Sequence, residues 1–174
     1  YCIDVEWAER LINSKTKAIM PVHLYGNSAD MLKVLAFANC YKLKIIEDAA
    51  QGVGVTFNNQ HVGTFGDCGV LSYYGNKTIT CGEGGMVLTN NKELAKTIYR
   101  LKNHGRDEKG TFIHEHIGFN FSFTEMQAAI GIAQMQKLPK IIAKKKKINE
   151  RYLSELKLSS SMQHSSIDHR CKPV

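Results

Sequence analysis

A single lysine stands in a polar, glycine-marked stretch, Ser72-Tyr-Tyr-Gly-Asn-Lys77-Thr-Ile-Thr-Cys-Gly-Glu-Gly-Gly85. A β-rich approach from Cys68 to Tyr73 leads into it. Gly82, Gly84 and Gly85 follow, and glycine lets a backbone turn sharply or pass close to a ligand. A lysine in such a setting has two readings. Most loop lysines are simply solvated. An amine confined in a pocket is a nucleophile toward a carbonyl carbon.

Two further residue types bear on that choice. Asp48 closes one predicted strand and Ser72 closes another. A carboxylate, a hydroxyl beside glycines and a lysine are the parts that a pyridoxal phosphate site needs. The lysine makes a Schiff base, and the carboxylate keeps the pyridine nitrogen protonated so that the ring acts as an electron sink. The hydroxyl and backbone amides hold the phosphate. Chemistry alone leaves this as one candidate among several, because a strand-end aspartate also serves as a helix cap.

Other motifs fall short. Gly69-Val-Leu-Ser-Tyr-Tyr-Gly75-Asn-Lys77-Thr78 has one residue too many between its glycines for a P-loop, and Asn76 separates Gly75 from Lys77. A P-loop needs its amides and lysine in fixed register on a phosphate chain. Gly52-Val-Gly54 lacks the third glycine of a dinucleotide fingerprint, since Phe57 stands there. His114-Glu-His116 does not read as a metal site, because histidines two apart do not share a helix face and no third ligand is evident.

The elements that must position these residues follow from periodicity. Val5, Ala8 and Leu11-Ile12 give a helix over 4–13. Residues 18–22 read as a buried strand, 29–41 as a helix and 43–47 as a second strand. Strand, helix and strand at this spacing form a βαβ unit of a parallel sheet. Ligands collect at the carboxyl ends of such strands, which here are the loops His23 to Ser28 and Asp48 to Gln51. Short β-like runs at 54–57 and 69–73, a strand at 86–89 and a helix at 92–103 come next. Residues 104–123 form a long irregular segment. It carries Phe112, Ile113, Ile117, Phe119, Phe121 and Phe123, and is expected to pack against another domain or subunit. Thr124-x-x-Gln127 is a capping-box pattern. The helix it opens is expected to reach Leu138, to break at Pro139 and to be followed by a second, lysine-rich helix to Leu156. The serine-rich stretch 159–166 reads as a mobile tail.

Composition sets the outer limits. The chain has 174 residues, 43% of them hydrophobic, enough for a domain with a core. It opens on Tyr1 and is read as an internal fragment of a longer protein. No apolar run is long enough for a membrane helix. Five scattered cysteines without a C-x-x-C pair fit a reducing cytoplasm. The net charge of +7 owes much to Lys144 to Lys147. That run reads as a solvated helix face, not a nucleic-acid surface, because no aromatic residues interleave with it.

Four ordered motifs carry a more specific signal. They are Pro21-Val-His-Leu-Tyr-Gly26, Glu47-Asp-Ala-Ala-Gln51, the Ser72 to Gly85 stretch, and Gly118-Phe-Asn-Phe-Ser-Phe-Thr-Glu-Met-Gln-Ala-Ala129. Together they resemble the DegT/StrS nucleotide-sugar aminotransferases, of the fold type I group, over about residues 5–138. The wording around Lys77 is most similar to the perosamine-synthase type.

The resemblance implies an α/β fold: a fold type I large domain with a mostly parallel mixed sheet between helices. Residues 1–138 would be the cofactor-binding large domain without its N-terminal part. Residues 139–174 would be a linking helix and the start of a truncated small domain. It implies pyridoxal 5'-phosphate bound to Lys77, with Asp48 at the pyridine nitrogen, Gln51 at the pyridine hydroxyl side and Ser72 at the phosphate. Asn120 would reach the phosphate across the interface of a homodimer. The implied reaction moves an amino group from L-glutamate to a nucleotide-linked 4-keto-6-deoxyhexose, with no metal. The alternatives are a dehydratase or isomerase of the same family, or a non-catalytic relative that binds nucleic acid. Dehydratase relatives carry histidine in place of the lysine, so Lys77 argues against that branch. One departure is Ser122, where many members carry arginine.

Overall fold

The computed structural model describes residues 1–107, 112–114, 116–158 and 162–174. Its centre is a four-stranded sheet in the order β1 (Ala18–Ile19), β2 (Lys44–Asp48), β5 (Cys68–Ser72), β6 (Gly85–Leu88). The first three strands are parallel and β6 is antiparallel to β5. The expected mixed, mostly parallel sheet is therefore present.

The βαβ unit forms as its periodicity requires. Helix α1 (Val5–Glu9) is capped by Asp4, which accepts the amides of Glu6 and Trp7; it is shorter than the helix expected over 4–13. Helix α2 (Met31–Tyr41) starts at Asp30, whose side chain accepts the Lys33 amide. It ends at Lys42, which adopts a left-handed φ of 54°. Its buried stripe of Met31, Val34, Phe37 and Ala38 packs on Ile19 and Ile45 of the sheet. These side chains lie at helical steps, so one face of α2 leaves water together.

The link from β2 to β5 carries a hairpin instead of a helix. β3 (Thr56–Phe57) and β4 (Gln60–His61) turn at Asn58-Asn59, with φ of 48° and 63°. Positive φ at both central residues is the mark of a tight two-residue hairpin turn, and asparagine tolerates it. β7 (Cys171–Lys172) joins the other edge of β3 to complete a second sheet, β4-β3-β7. Phe57 and Val55, fully buried, carry this sheet into the main core.

Helix α3 (Lys92–Lys102) is capped by Asn91. Helix α4 (Glu125–Glu155) opens with the full capping box of Thr124 and Gln127. It runs without interruption through Pro139, contrary to the break expected there. Proline removes one i→i−4 hydrogen bond and crowds the preceding turn. The surrounding alanine, glutamine and lysine residues are strong helix formers, and they carry the helix across that single defect. Within the irregular segment, Phe112, Ile113, Ile117 and Phe121 are largely exposed, Ile117 at 87%. Ser159, Ser160 and Ser161 of the serine-rich tail lie outside the described residues, as does Glu115 of the His-Glu-His motif.

Candidate active site

Asp48 is the last residue of β2. Its backbone pairs on both flanks: its N–H donates to Pro21 O at 2.9 Å, its C=O accepts from the His23 amide at 2.9 Å, and the next amide, Ala49, donates to Val70 O at 3.0 Å. Asp48 stands opposite Val70 in the parallel register of β2 and β5. Ser72 lies two residues farther along β5, so it falls on the same sheet face as Asp48. From strand spacing and rise, their Cα atoms are about 8 Å apart. Both side chains are half-buried. Asp48 Oδ1 accepts the Ala50 amide at 3.0 Å, while Oδ2 has no partner among the described residues. Ser72 Oγ accepts the Tyr74 amide at 3.3 Å.

Lys77 lies in the turn that leaves β5. The base of this turn is closed by Tyr73, whose N–H donates to Gly84 O at 2.8 Å and whose C=O accepts the Cys81 amide at 3.0 Å. Ile79 and Cys81, both buried, point the loop inward as plugs. The turn itself is drawn in by the Lys77 amide on Tyr74 O at 3.0 Å. Two chemically opposite properties result: a fixed backbone and an Nζ with no hydrogen bond or ion pair among the described residues. On the next residue, Thr78 Oγ1 accepts from Lys145 Nζ of α4 at 3.2 Å. A second ammonium group therefore stands beside the lysine turn.

The glycines here do different jobs. Gly84 has φ +141° and lies against the Phe123 ring, which fills the space a side chain would need. Gly82 has φ +85° and open space around it, so it is needed for backbone conformation alone. Phe123 stacks on Tyr73 at 6.2 Å, and Gln127 Nε2 donates to Glu83 O at 3.2 Å. These contacts dock the start of α4 on the lysine turn. An apolar cavity of about 380 Å³ remains between them, lined by Tyr73, Ile79, Cys81, Met86, Phe123 and Ile132 among others. Burial pushes the Cys81 thiol and the Tyr73 phenol up from their ordinary values, so neither ionises readily beside Lys77.

Gln51 is in the loop after β2, and its Oε1 accepts the Tyr25 amide at 2.9 Å. This contact joins the two polar loops at the carboxyl ends of the strands. Asn120 is exposed and forms an isolated backbone bridge with Asn103 at the end of α3. Among the described residues it makes no hydrogen bond or ion pair with Lys77, Asp48 or Ser72. His114 Nδ1 bonds His104 O at 2.7 Å.

One pair escaped the sequence reading. Glu47 and His23 are each 0% exposed, with His23 Nε2 3.1 Å from Glu47 Oε2. The carboxylate also accepts the amides of Gly63 (2.7 Å), Phe65 (2.6 Å) and Gly66 (2.7 Å). Burial opposes its ionisation, but the His23 bond and the three amides outweigh this and hold its pKa below the usual range. The signal was present in alternation: Glu47 occupies the same inward face as Ile45, where a charge is out of place unless fully bonded.

The donor set fits pyridoxal phosphate. Asp48 and Ser72 lie on one face at the carboxyl ends of adjacent strands, with an Asp48 oxygen unpartnered among the described residues. The second strand leads into the turn that carries Lys77, whose amine is unpaired among them.

Comparison with known proteins places the chain in a family. The sequence profile of the DegT/DnrJ/EryC1/StrS aminotransferase family matches residues 1–172. The chain is 43% identical over 154 residues to the GDP-perosamine synthase of Vibrio cholerae, an alignment covering 88% of this chain and 42% of the relative. Its fold matches DesV of S. venezuelae, solved in complex with a ketimine intermediate, with a TM-score of 0.89 and 32% identity over 99% of this chain and 46% of that one. It also matches the E. coli GDP-4-keto-6-deoxy-D-mannose-3-dehydratase with bound hydrated PLP, with a TM-score of 0.78 and 29% identity over 87% of this chain and 43% of that one. The chain thus spans less than half the length of the proteins it resembles. The fold is that of the fold type I pyridoxal phosphate enzymes, and the chain belongs to the DegT/DnrJ/EryC1/StrS aminotransferase family.

Proposed function

We propose that the protein transfers an amino group from an amino acid, L-glutamate, to a nucleotide-linked keto sugar, a 4-keto-6-deoxyhexose, using pyridoxal phosphate. One observation carries the reading: Asp48 and Ser72 share a face at the carboxyl edge of adjacent parallel strands, and the second of these strands leads into the Lys77 turn. The likeness to GDP-perosamine synthase supports the choice of substrate class.

The cofactor, when bound, supplies an electron sink for charge developing on the substrate carbon. The chain's residues supply the rest. Lys77 Nζ anchors the cofactor and then moves the proton from the amino-bearing carbon. Among the described residues nothing hydrogen-bonds to this nitrogen, which leaves it available for that work. Asp48 holds a proton on the pyridine nitrogen, with Oδ1 oriented by the Ala50 amide. Ser72 Oγ binds phosphate, and Gln51 contacts the pyridine hydroxyl side. Asn120, exposed on this chain, contributes to the phosphate site of a second copy. The exposed Phe112, Ile113, Ile117 and Phe121 are the surface that second copy covers, making a homodimer. Residues 1–138 belong to the large domain and 139–174 lead toward a small one. Five free thiols fit a reducing cytoplasm.

The test uses the full-length protein. Pyridoxal phosphate is added, the complex is reduced with borohydride, and the modified peptide is mapped. The pyridoxyl group belongs on Lys77; on another lysine, or on none, it refutes the reading. Lys77→Ala abolishes turnover and keeps the fold. The structural likeness to a dehydratase raises a second reaction, loss of water from the same class of sugar. Amino transfer from glutamate with ping-pong kinetics distinguishes the two.

A further inference from the structure

We infer that Glu47 and His23 are positioning residues that fix where Asp48 and Ser72 stand relative to each other. The inference rests on the site reading above and adds to it a buried pair whose side chains make no hydrogen bond to those of Asp48, Ser72 or Lys77.

The geometry runs in one connected path. His23 Nδ1 accepts the Ala29 amide at 3.2 Å. In the neutral ring this places the proton on Nε2, which donates to Glu47 Oε2 at 3.1 Å. His23 also donates its backbone N–H to Asp48 O at 2.9 Å. The side chain of His23 is thus keyed to Glu47 while its backbone holds the neighbouring residue, Asp48.

On its other side the Glu47 carboxylate gathers the amides of Gly63, Phe65 and Gly66. This segment feeds directly into β5, the strand that ends at Ser72. It lies tight on β2: a side chain at Gly66 would come within 2.7 Å of Ile45 O, and one at Gly69 would overlap Gly63. A shift of the 63–66 segment therefore moves β5 along β2. One carboxylate holds three segments in register: the β1 extension at Pro21 to His23, the β2 strand and the entry to β5.

The pair is demanding in its donors and acceptors. In Glu47→Gln, the amide oxygen can keep the Phe65 and Gly66 bonds. The –NH₂ then faces the Gly63 N–H and the His23 Nε2–H, so donors meet donors. Moving the His23 proton to Nδ1 transfers the conflict to the Ala29 N–H. No tautomer satisfies every group. In His23→Gln the terminal amide N–H stands in for Nε2–H, whereas His23→Asn is too short to reach Glu47.

The test measures cofactor binding, not turnover, in the full-length protein. Two readouts are the dissociation constant for pyridoxal phosphate and the pH titration of its visible absorbance when bound. Asp48→Ala is the reference arm. Glu47→Gln and His23→Asn are expected to weaken binding about 10-fold or more, as loss of an outer-shell partner does at metal sites, and to shift the titration in the direction that Asp48→Ala does. His23→Gln is expected to restore both readouts to near the parent values. If Glu47→Gln does not accumulate as folded protein, the His23→Asn and His23→Gln pair decides the matter. A lower melting temperature with binding and titration unchanged, alongside an Asp48→Ala that does lose them, overturns this inference alone. An Asp48→Ala that binds and titrates like the parent overturns the site reading and this inference with it.

Discussion

Replacing Gly84 by alanine is the sharpest probe of how the lysine turn is built. Two costs arise. The first is backbone: φ +141° is a region that residues with a side chain rarely adopt, and holding one there costs about 1–3 kcal/mol. The second is steric. The new Cβ would stand 2.7 Å from Phe123 Cζ and closer still to Cε1, so the ring must leave. Its stacking on Tyr73, at 6.2 Å and 23°, is worth about 0.5–1.5 kcal/mol. Together these give a destabilisation of about 1.5–4.5 kcal/mol. Gly82→Ala is the internal control. It has φ +85° and nothing within 4 Å of the new Cβ, so it bears only the backbone cost, about 1–2 kcal/mol. Equilibrium urea unfolding followed by circular dichroism measures both. Adding Phe123→Ala to each variant isolates the steric part, because the excess cost at Gly84 should then shrink to the difference in backbone cost alone. A Gly84→Ala variant no less stable than Gly82→Ala would refute the argument that Gly84 exists to seat Phe123.

Three further outcomes are expected. Thr124→Ala removes the capping box of α4, costing about 1 kcal/mol; faster hydrogen exchange confined to the first turn of α4 would report it. Arg170→Ala breaks the link between Asp168 and Asp30, where Arg170 Nη2 lies 2.8 Å from Asp30 Oδ2, and the cation stacked 4.8 Å from the Phe57 ring. The segment 162–174 should then become sensitive to limited proteolysis while the main sheet stays resistant. The Glu47 carboxyl has a folded pKa held below its unfolded one by its His23 and amide bonds, against the opposing effect of burial. Its stabilisation is therefore full above the ordinary glutamate range and is lost as pH falls through the depressed folded value. Stability measured from neutral to acid pH should fall less steeply in Glu47→Ala than in the parent, from a lower starting level.

Much of this architecture is local and was legible as such. Helical spacing announced α2, but the steps that showed it, Leu32, Leu35-Ala36 and Asn39-Cys40, lie mostly on its outer side, and the buried stripe is Met31, Val34, Phe37 and Ala38. The flanking apolar runs announced β1 and β2 as a parallel pair. Thr124-x-x-Gln127 announced the start of α4. Asp48, Ser72 and Lys77 could be proposed as candidates because strand ends and glycine turns have local signatures, and four ordered motifs gave the family. In each case the deciding interaction lies within a few residues, so the pattern of neighbours contains it.

What the tertiary structure decided depends on groups distant in sequence. Two-residue strands are too short to show a period, so the β3-β4 hairpin and its pairing with β7 could not be read from alternation. The continuity of α4 through Pro139 reflects the summed propensity of a long helix against one missing bond, not the proline alone. Gly84 looked like room for a ligand and proved to be room for Phe123. Glu47 stands in the sequence simply as the residue before Asp48. Its burial follows from three amides and a histidine that only the fold brings to it. A sequence fixes which residues carry charge, hydroxyl or amine, because that is covalent. The fold decides which of them are left unpartnered at a sheet edge and which are consumed in holding that edge together.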